Sequence, residues 1–126
     1  MLRTKALITG ITGMVGSHLA DFLLSETDWD IYGMCRWRSP HDNVSHLLHL
    51  ANSGSRLNFL TADLNDYISL MNVVEKVKPD FVFHLAAQSY PQTSFTSPLD
   101  TLNTNILSIG KLCEYDLAKI RKSFTN

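Results

Sequence analysis

The segment "KALITGITGMVGSHLADFLL" over residues 5–24 carries glycines at Gly10, Gly13 and Gly16, three residues apart inside an apolar run. A glycine inside a helix or strand costs about 0.5–1 kcal/mol relative to alanine, so a regular set of three marks a backbone that turns tightly or is approached closely. Leu7 and Ile8 precede the set as a strand, and Val15, Leu19, Phe22 and Leu23 follow it at helical spacing. The feature is therefore a strand, a glycine turn and a helix.

The rest of the chain repeats that alternation. "DIYGMC", Asp30 to Cys35, reads as a second strand and completes a βαβ unit. A loop with Ser39, Pro40 and Asn43 leads to a short amphipathic helix near Val44 to Leu50 and a strand from Arg56 to Leu64. A helix from about Asp66 to Val77, a strand over Phe81 to Ala87 and a long helix from about Pro98 to Ile120 complete the series. Alternating strands and helices imply an α/β fold, a Rossmann-like doubly wound parallel sheet, here with about four strands. The near-continuous apolar run in the fourth predicts burial on both of its faces. Leu99, Leu102, Ile106, Ile109, Cys113, Leu117 and Ile120 mark the apolar, core-facing side expected of the last helix.

Composition narrows the function classes. With 126 residues, 44% of them hydrophobic, the chain is expected to form one domain with its own core. A net charge of −1 leaves no basic stripe for nucleic acid and no polybasic patch for a membrane surface. The basic start, Met1 to Lys5, imitates a secretory leader, but Thr9, Thr12 and the glycines interrupt the apolar stretch after it, and it reads as mature structure. Cys35 and Cys113 lack the spacing of a zinc site or a redox pair, which fits a reducing cytoplasm. His46 and His49, even with His41 nearby, read as a solvated helix face rather than a metal site, and His84 as a hydrogen-bonded residue of a buried strand.

A glycine turn between a strand and a helix has a specific use. The first glycine permits the turn, the second lets a pyrophosphate approach the backbone, the third lets the helix pack against the strand, and the helix-start amides donate to phosphate oxygens. Gly10, Thr12, Gly13, Met14, Val15 and Gly16 are thus the expected cofactor loop. About 20 residues on, where a dinucleotide site selective for NAD places an acidic side chain, stands "CRWRS". Arg36 and Arg38 can donate to a 2′-phosphate but accept nothing, so NADP is expected over NAD. Asp63, just past the third strand, has the side chain of an N-cap for the next helix. Leu85 to Ser89 falls at the carboxyl edge of the sheet, where doubly wound folds bind ligands. Ser89, Tyr90 and Ser94 in the following loop are candidates for the pocket wall.

Thr9, the G-x-x-G-x-x-G spacing and "HLAAQS" resemble the extended short-chain dehydrogenase/reductase superfamily. The likeness is strongest to the GDP-mannose 4,6-dehydratase family, through "ALITGITG", "GSHLADFLL", "RSP", "ADLND", "VKPDFVFHLAAQS" and "SF" at Ser94-Phe95, from about Lys5 to Lys119. Two positions depart from that family: Met14-Val15 replace a Gln-Asp pair and Asp100 replaces a tyrosine. The resemblance implies adenine contacts from Asp63 and Leu64, and cofactor ribose and pyrophosphate beside Leu85, Ala86, Ala87 and Ser89. It also implies a nucleotide-linked sugar substrate and chemistry by a tyrosine–lysine pair with a serine or threonine. Hydride would leave the sugar C4 for NADP, water would be lost across C5 and C6, and the hydride would return. Tyr115 and Lys119 have the pair's spacing, but they precede any fifth strand and lie opposite the expected apolar face, so they are read as a decoy. The catalytic groups and the substrate domain are then expected outside these residues. That predicts an inactive fragment with an open edge on the fourth strand, or an oligomer covering it. An epimerase or 4-keto reductase of the same superfamily, or a non-catalytic NADP-binding module, are the alternatives.

Overall fold

The computed structural model describes residues 2–51 and 54–115. Four parallel strands, β1 (Lys5–Thr9), β2 (Asp30–Cys35), β3 (Leu57–Thr61) and β4 (Phe81–His84), form one sheet in the order β3-β2-β1-β4. This is the expected doubly wound arrangement. Alternating residues of β1 face opposite sides of the sheet. Ala6 and Ile8 join Ala20 and Leu23 of helix α1 (Met14–Glu26) in one core, which Val44 and Leu47 of a 3-10 helix (Asp42–Leu47) extend. Leu7 joins Leu70, Val73, Val74 and Val77 of helix α2 (Tyr67–Val77) in the other.

Each helix is terminated by identifiable groups. Asp66 caps α2, its carboxylate accepting from the amides of Ile68 (3.1 Å) and Ser69 (3.3 Å). Lys78 then leaves the helix in the left-handed region at φ 50°. At the end of α1 the Arg56 guanidinium donates to the carbonyls of Leu24 (2.7 Å) and Thr27 (2.6 Å), placing a cation where the helix dipole is negative. Two cores and the capped helices fix the carboxyl edge of the sheet.

Past β4 the structure departs from the expected pattern. The strand ends at His84 rather than Ala87, and its residues are exposed or half-buried rather than enclosed, because β1 is its one partner among the described residues. The third strand is likewise shorter than Arg56 to Leu64, and the segment near Val44 winds as a 3-10 helix. Two short helices, α3 (Pro91–Thr96) and α4 (Pro98–Leu102), follow the loop after β4. A π-type turn, Asn103–Leu107, then leads from α4 into helical residues 108–115. No helix among the described residues is long and apolar enough to cross a membrane.

The face assigned to the last helix is reversed. Leu99 is 80% exposed, Leu102, Ile106, Ile109 and Cys113 are exposed as well, and Leu117 and Ile120 lie outside the described residues. The side that meets the domain carries Thr104, Ser108 and Leu112, with Ser108 fully buried. The carboxyl edge of the sheet offers backbone amides, an asparagine and a histidine, and polar helix side chains satisfy them where leucines could not. Tyr115 shares this packed side and contacts the α2 core, which overturns the argument that placed it on the outside.

Candidate cofactor site

The glycine loop is shaped by backbone contacts. Gly10 adopts φ 73°, and a β-carbon there would stand 2.8 Å from the Ala86 nitrogen. Both conditions exclude a side chain. At Gly16 a β-carbon would strike the Gly10 carbonyl and the Ile11 α-carbon, so the third glycine brings α1 onto the turn itself rather than onto a strand. The Gly10 amide donates to Met34 of β2 (3.0 Å) and the Gly13 amide back to Gly10 (3.0 Å). No side chain caps the start of α1 at Gly13, which leaves the first-turn amides without a side-chain partner at the positive end of the helix dipole.

That cleft holds about 620 Å³ at the carboxyl edge of the sheet. Gly10, Thr12, Gly13, Arg36, Asp63, Leu64, Leu85, Ala86, Ala87 and Ser89 line it together. Met14, Val15, Gly16 and Arg38 do not. Met14 and Val15 are exposed on α1, Gly16 is buried beneath the turn, and Arg38 stacks over Trp37 with its guanidinium carbon 4.7 Å from the ring centre. Tyr90 also reaches the cleft; Ser94 does not, its hydroxyl donating to the Tyr90 carbonyl at 3.5 Å. Ser39, not among the expected site residues, joins Arg36 because the Ser39 amide donates to the Arg36 carbonyl (2.9 Å) and folds the segment into a turn.

Asp63 is not a helix cap, a role that Asp66 fills. Its carboxylate accepts from the Asn65 amide (2.9 Å), and its own amide donates to the Ser69 hydroxyl oxygen (3.1 Å). The carboxylate is therefore held at the mouth of the cleft. Cys35 lines the same wall, and burial pushes its thiol up, so at neutral pH it stays protonated. His46 is not merely solvated, since its Nε2 lies 2.8 Å from Asp21, and His41 packs edge-on against Phe59. Among the described residues no three histidine, cysteine or acidic groups converge as a metal site would require.

The far wall is held by side chains. The amide nitrogen of Asn65 donates to Asp100 (3.0 Å), while its oxygen accepts from Asn103 (2.9 Å) and Thr104 (3.0 Å). Asn105 makes a two-way pair with the Gln88 backbone, accepting at 2.6 Å and donating at 2.9 Å. Thr104 and Asp100 line the cleft as a result. Nothing in the local spacing of Asn65, Gln88 or Asn105 marks them in sequence, because these partners lie 17 to 39 residues away along the chain.

Residues 7–123 match the family model described as GDP-mannose 4,6 dehydratase. The chain belongs to this family. It is 36% identical to the GDP-mannose 4,6-dehydratase of Vibrio cholerae, over 90% of this chain and 31% of that protein. It is 40% identical to the enzyme of Yersinia enterocolitica, over 87% and 30%. With the human GDP-mannose 4,6 dehydratase it shares 36% identity, over 88% and 32%. The chain thus spans about a third of the length of these relatives. Among solved structures, UDP-glucose 4-epimerase of Thermotoga maritima, crystallised with UDP-glucose, superposes with a TM-score of 0.72 at 25% identity, covering 88% of this chain and 33% of that one. The Thermus thermophilus UDP-glucose 4-epimerase in complex with NAD gives 0.71 at 24% identity, over 88% and 33%, a likeness of fold.

Lys119 lies outside the described residues, and Tyr115 packs against the α2 core rather than lining the cleft. Among the described residues, no tyrosine–lysine pair lines the cleft.

Proposed function

We propose that this chain is the NADP-binding part of a nucleotide-sugar 4,6-dehydratase of the GDP-mannose type. The observation that carries the reading is the cleft itself. A glycine turn with an uncapped helix start after it, Arg36 with Ser39 after β2, and Asp63 with Leu64 after β3 all contribute to it. Pyrophosphate would lie against Gly10, Thr12 and Gly13, where amides and the α1 dipole favour anionic oxygens. Arg36 would donate to the 2′-phosphate through charge-assisted hydrogen bonds, and Asp63 with Leu64 would receive the adenine. The bound dinucleotide supplies hydride acceptance and return; the residues present here bind and orient it.

The family relation supports a nucleotide-linked sugar, such as GDP-mannose, as the substrate of the whole protein. On this reading the residues described here contribute cofactor binding to that reaction, and the resemblance assigns its acid–base chemistry to a Tyr–Lys pair with a serine or threonine. The exposed stripe of Leu99, Leu102, Ile106 and Ile109 supports association as a homo-oligomer. The free cysteines Cys35 and Cys113 fit a reducing cytoplasm.

The test is calorimetric titration of the chain with NADP and with NAD, before and after Arg36→Ala. Tighter binding of NADP, with the preference reduced about tenfold or more by the substitution, is the expected result. Equal affinities that Arg36→Ala leaves unchanged would remove the 2′-phosphate assignment.

A further inference from the structure

His84, the last residue of β4, joins three elements around the cleft without lining it. Its Nδ1 lies 2.8 Å from the Thr9 hydroxyl of β1, and its Nε2 lies 3.4 Å from the Ser108 hydroxyl. Hydrogen-bond accounting fixes the ring's protons. The Thr9 hydroxyl accepts from the amides of Leu85 (3.1 Å) and Ala86 (3.2 Å), which occupies both its lone pairs, so its own proton goes to Nδ1. The Ser108 hydroxyl donates to the Thr104 carbonyl and so accepts from Nε2. His84 is therefore neutral with its proton on Nε2.

We propose that His84 is a positioning residue for the dinucleotide. Held as the Nε2–H tautomer, it clasps the end of β1, the Leu85–Ala86 wall and the helix bearing Thr104 into one rim, and a second proton slackens that rim. This rests on the cofactor reading above. A protonated ring presents an N–H to Thr9, whose lone pairs are already taken, so an amide must be released. Leu85 retains the Thr9 carbonyl (3.2 Å), whereas Ala86 has the hydroxyl alone, and Ala86 lines the cleft. The released group is thus part of the binding wall.

The surroundings support the neutral ring. Val82, Ile109, Leu112 and Cys113 share its groove, Cys113 being the titratable group among them, while Lys111 on the same helix reaches the Leu64 carbonyl instead. β1 contributes Thr9 and no charge near the ring. Burial lowers the His84 pKa from its ordinary value. The neutral form's contribution is full above about pH 6.5 and is lost as the pH falls through the lower native value.

The experiment has two arms on the 126-residue chain. Nitrogen-15 spectra of the imidazole at pH 8, without ligand, should show an unprotonated Nδ1 and a protonated Nε2; the opposite tautomer overturns the clasp whether or not NADP binds. NADP titrations from pH 8 to pH 5 then compare the wild type with His84→Asn, which keeps an acceptor near Nδ1 and cannot titrate, and with His84→Phe, which keeps neither contact. Expected are an affinity within about threefold of wild type for His84→Asn at pH 8, about tenfold weaker binding for His84→Phe, and an acid loss in the wild type exceeding that of His84→Asn. The loss common to all three belongs to the 2′-phosphate, which itself takes a proton near pH 6. Parallel pH profiles for wild type and His84→Asn would overturn the proposal, as would full affinity in His84→Phe. If the wild type binds neither NADP nor NAD, the cofactor reading fails and the positioning role with it, while the ring-nitrogen arm still reports on the clasp as a structural element.

Discussion

The two walls of the cleft are built by opposite means. On the glycine side, Gly10 lies under Ala86, Gly16 under the turn, and the cores beneath are apolar and closed. On the helix side, residues 98–115 turn an apolar stripe outward and are fastened by Asn65, Asn105, Ser108 and Lys111. Close backbone approach leaves no tolerance for a β-carbon, whereas a wall held by hydrogen bonds loses about 1 kcal/mol of stability per bond removed. The first wall should fail abruptly and the second by increments.

The largest effect is expected from Gly10→Ala. It combines a positive φ with a contact to Ala86 backbone, and should cost about 3 kcal/mol or more in chemical denaturation and abolish NADP binding. A near-neutral result would mean that the loop yields, and the contrast between the walls would collapse. Arg56→Ala, on the same side but remote from the cleft, should cost about 2 kcal/mol by exposing the end of α1, with NADP affinity changed little. Loss of affinity in proportion to stability would show that the loop has no rigidity of its own.

Asn105→Ala addresses the helix wall. It should cost about 1–2 kcal/mol and speed amide exchange in residues 98–115 while leaving β1 and α1 protected. Exchange rising equally in both walls would deny their independence. The smallest effect is expected at the outward stripe: Ile106→Gln should change the stability of the chain by less than about 0.5 kcal/mol, where a core isoleucine would cost several. A loss of several kcal/mol, growing smaller as protein concentration rises, would show that the stripe is covered by another copy.

The same contrast separates what was legible in the sequence. The glycine turn, the alternation of strands and helices and the placement of Arg36, Asp63 and Leu85 to Ala87 followed from residue types whose constraints are local: φ, period and the carboxyl edge of a parallel sheet. The orientation of the last helix did not. Periodicity assumes that the apolar side faces the core, and here Leu99, Leu102 and Ile106 face out because Thr104, Asn105 and Ser108 have partners at residues 65, 84 and 88 that spacing along one helix does not reveal. The β4 boundary erred for a related reason, since "HLAAQ" is apolar enough for a strand, while its Leu85 and Ala86 amides turn to the Thr9 side chain. Arg38 shows the limit of a motif read by composition: two arginines flank Trp37, and the turn closed by Ser39 directs one of them to the cleft.

The central claim is that both walls close on a single dinucleotide, and amide hydrogen exchange with and without saturating NADP tests it most directly. The account predicts slowed exchange in two separated segments at once, the loop from Gly10 to Gly16 and the stretch from Leu85 to Thr104. Protection confined to one wall, or absent from the glycine loop while NADP is bound, would contradict it.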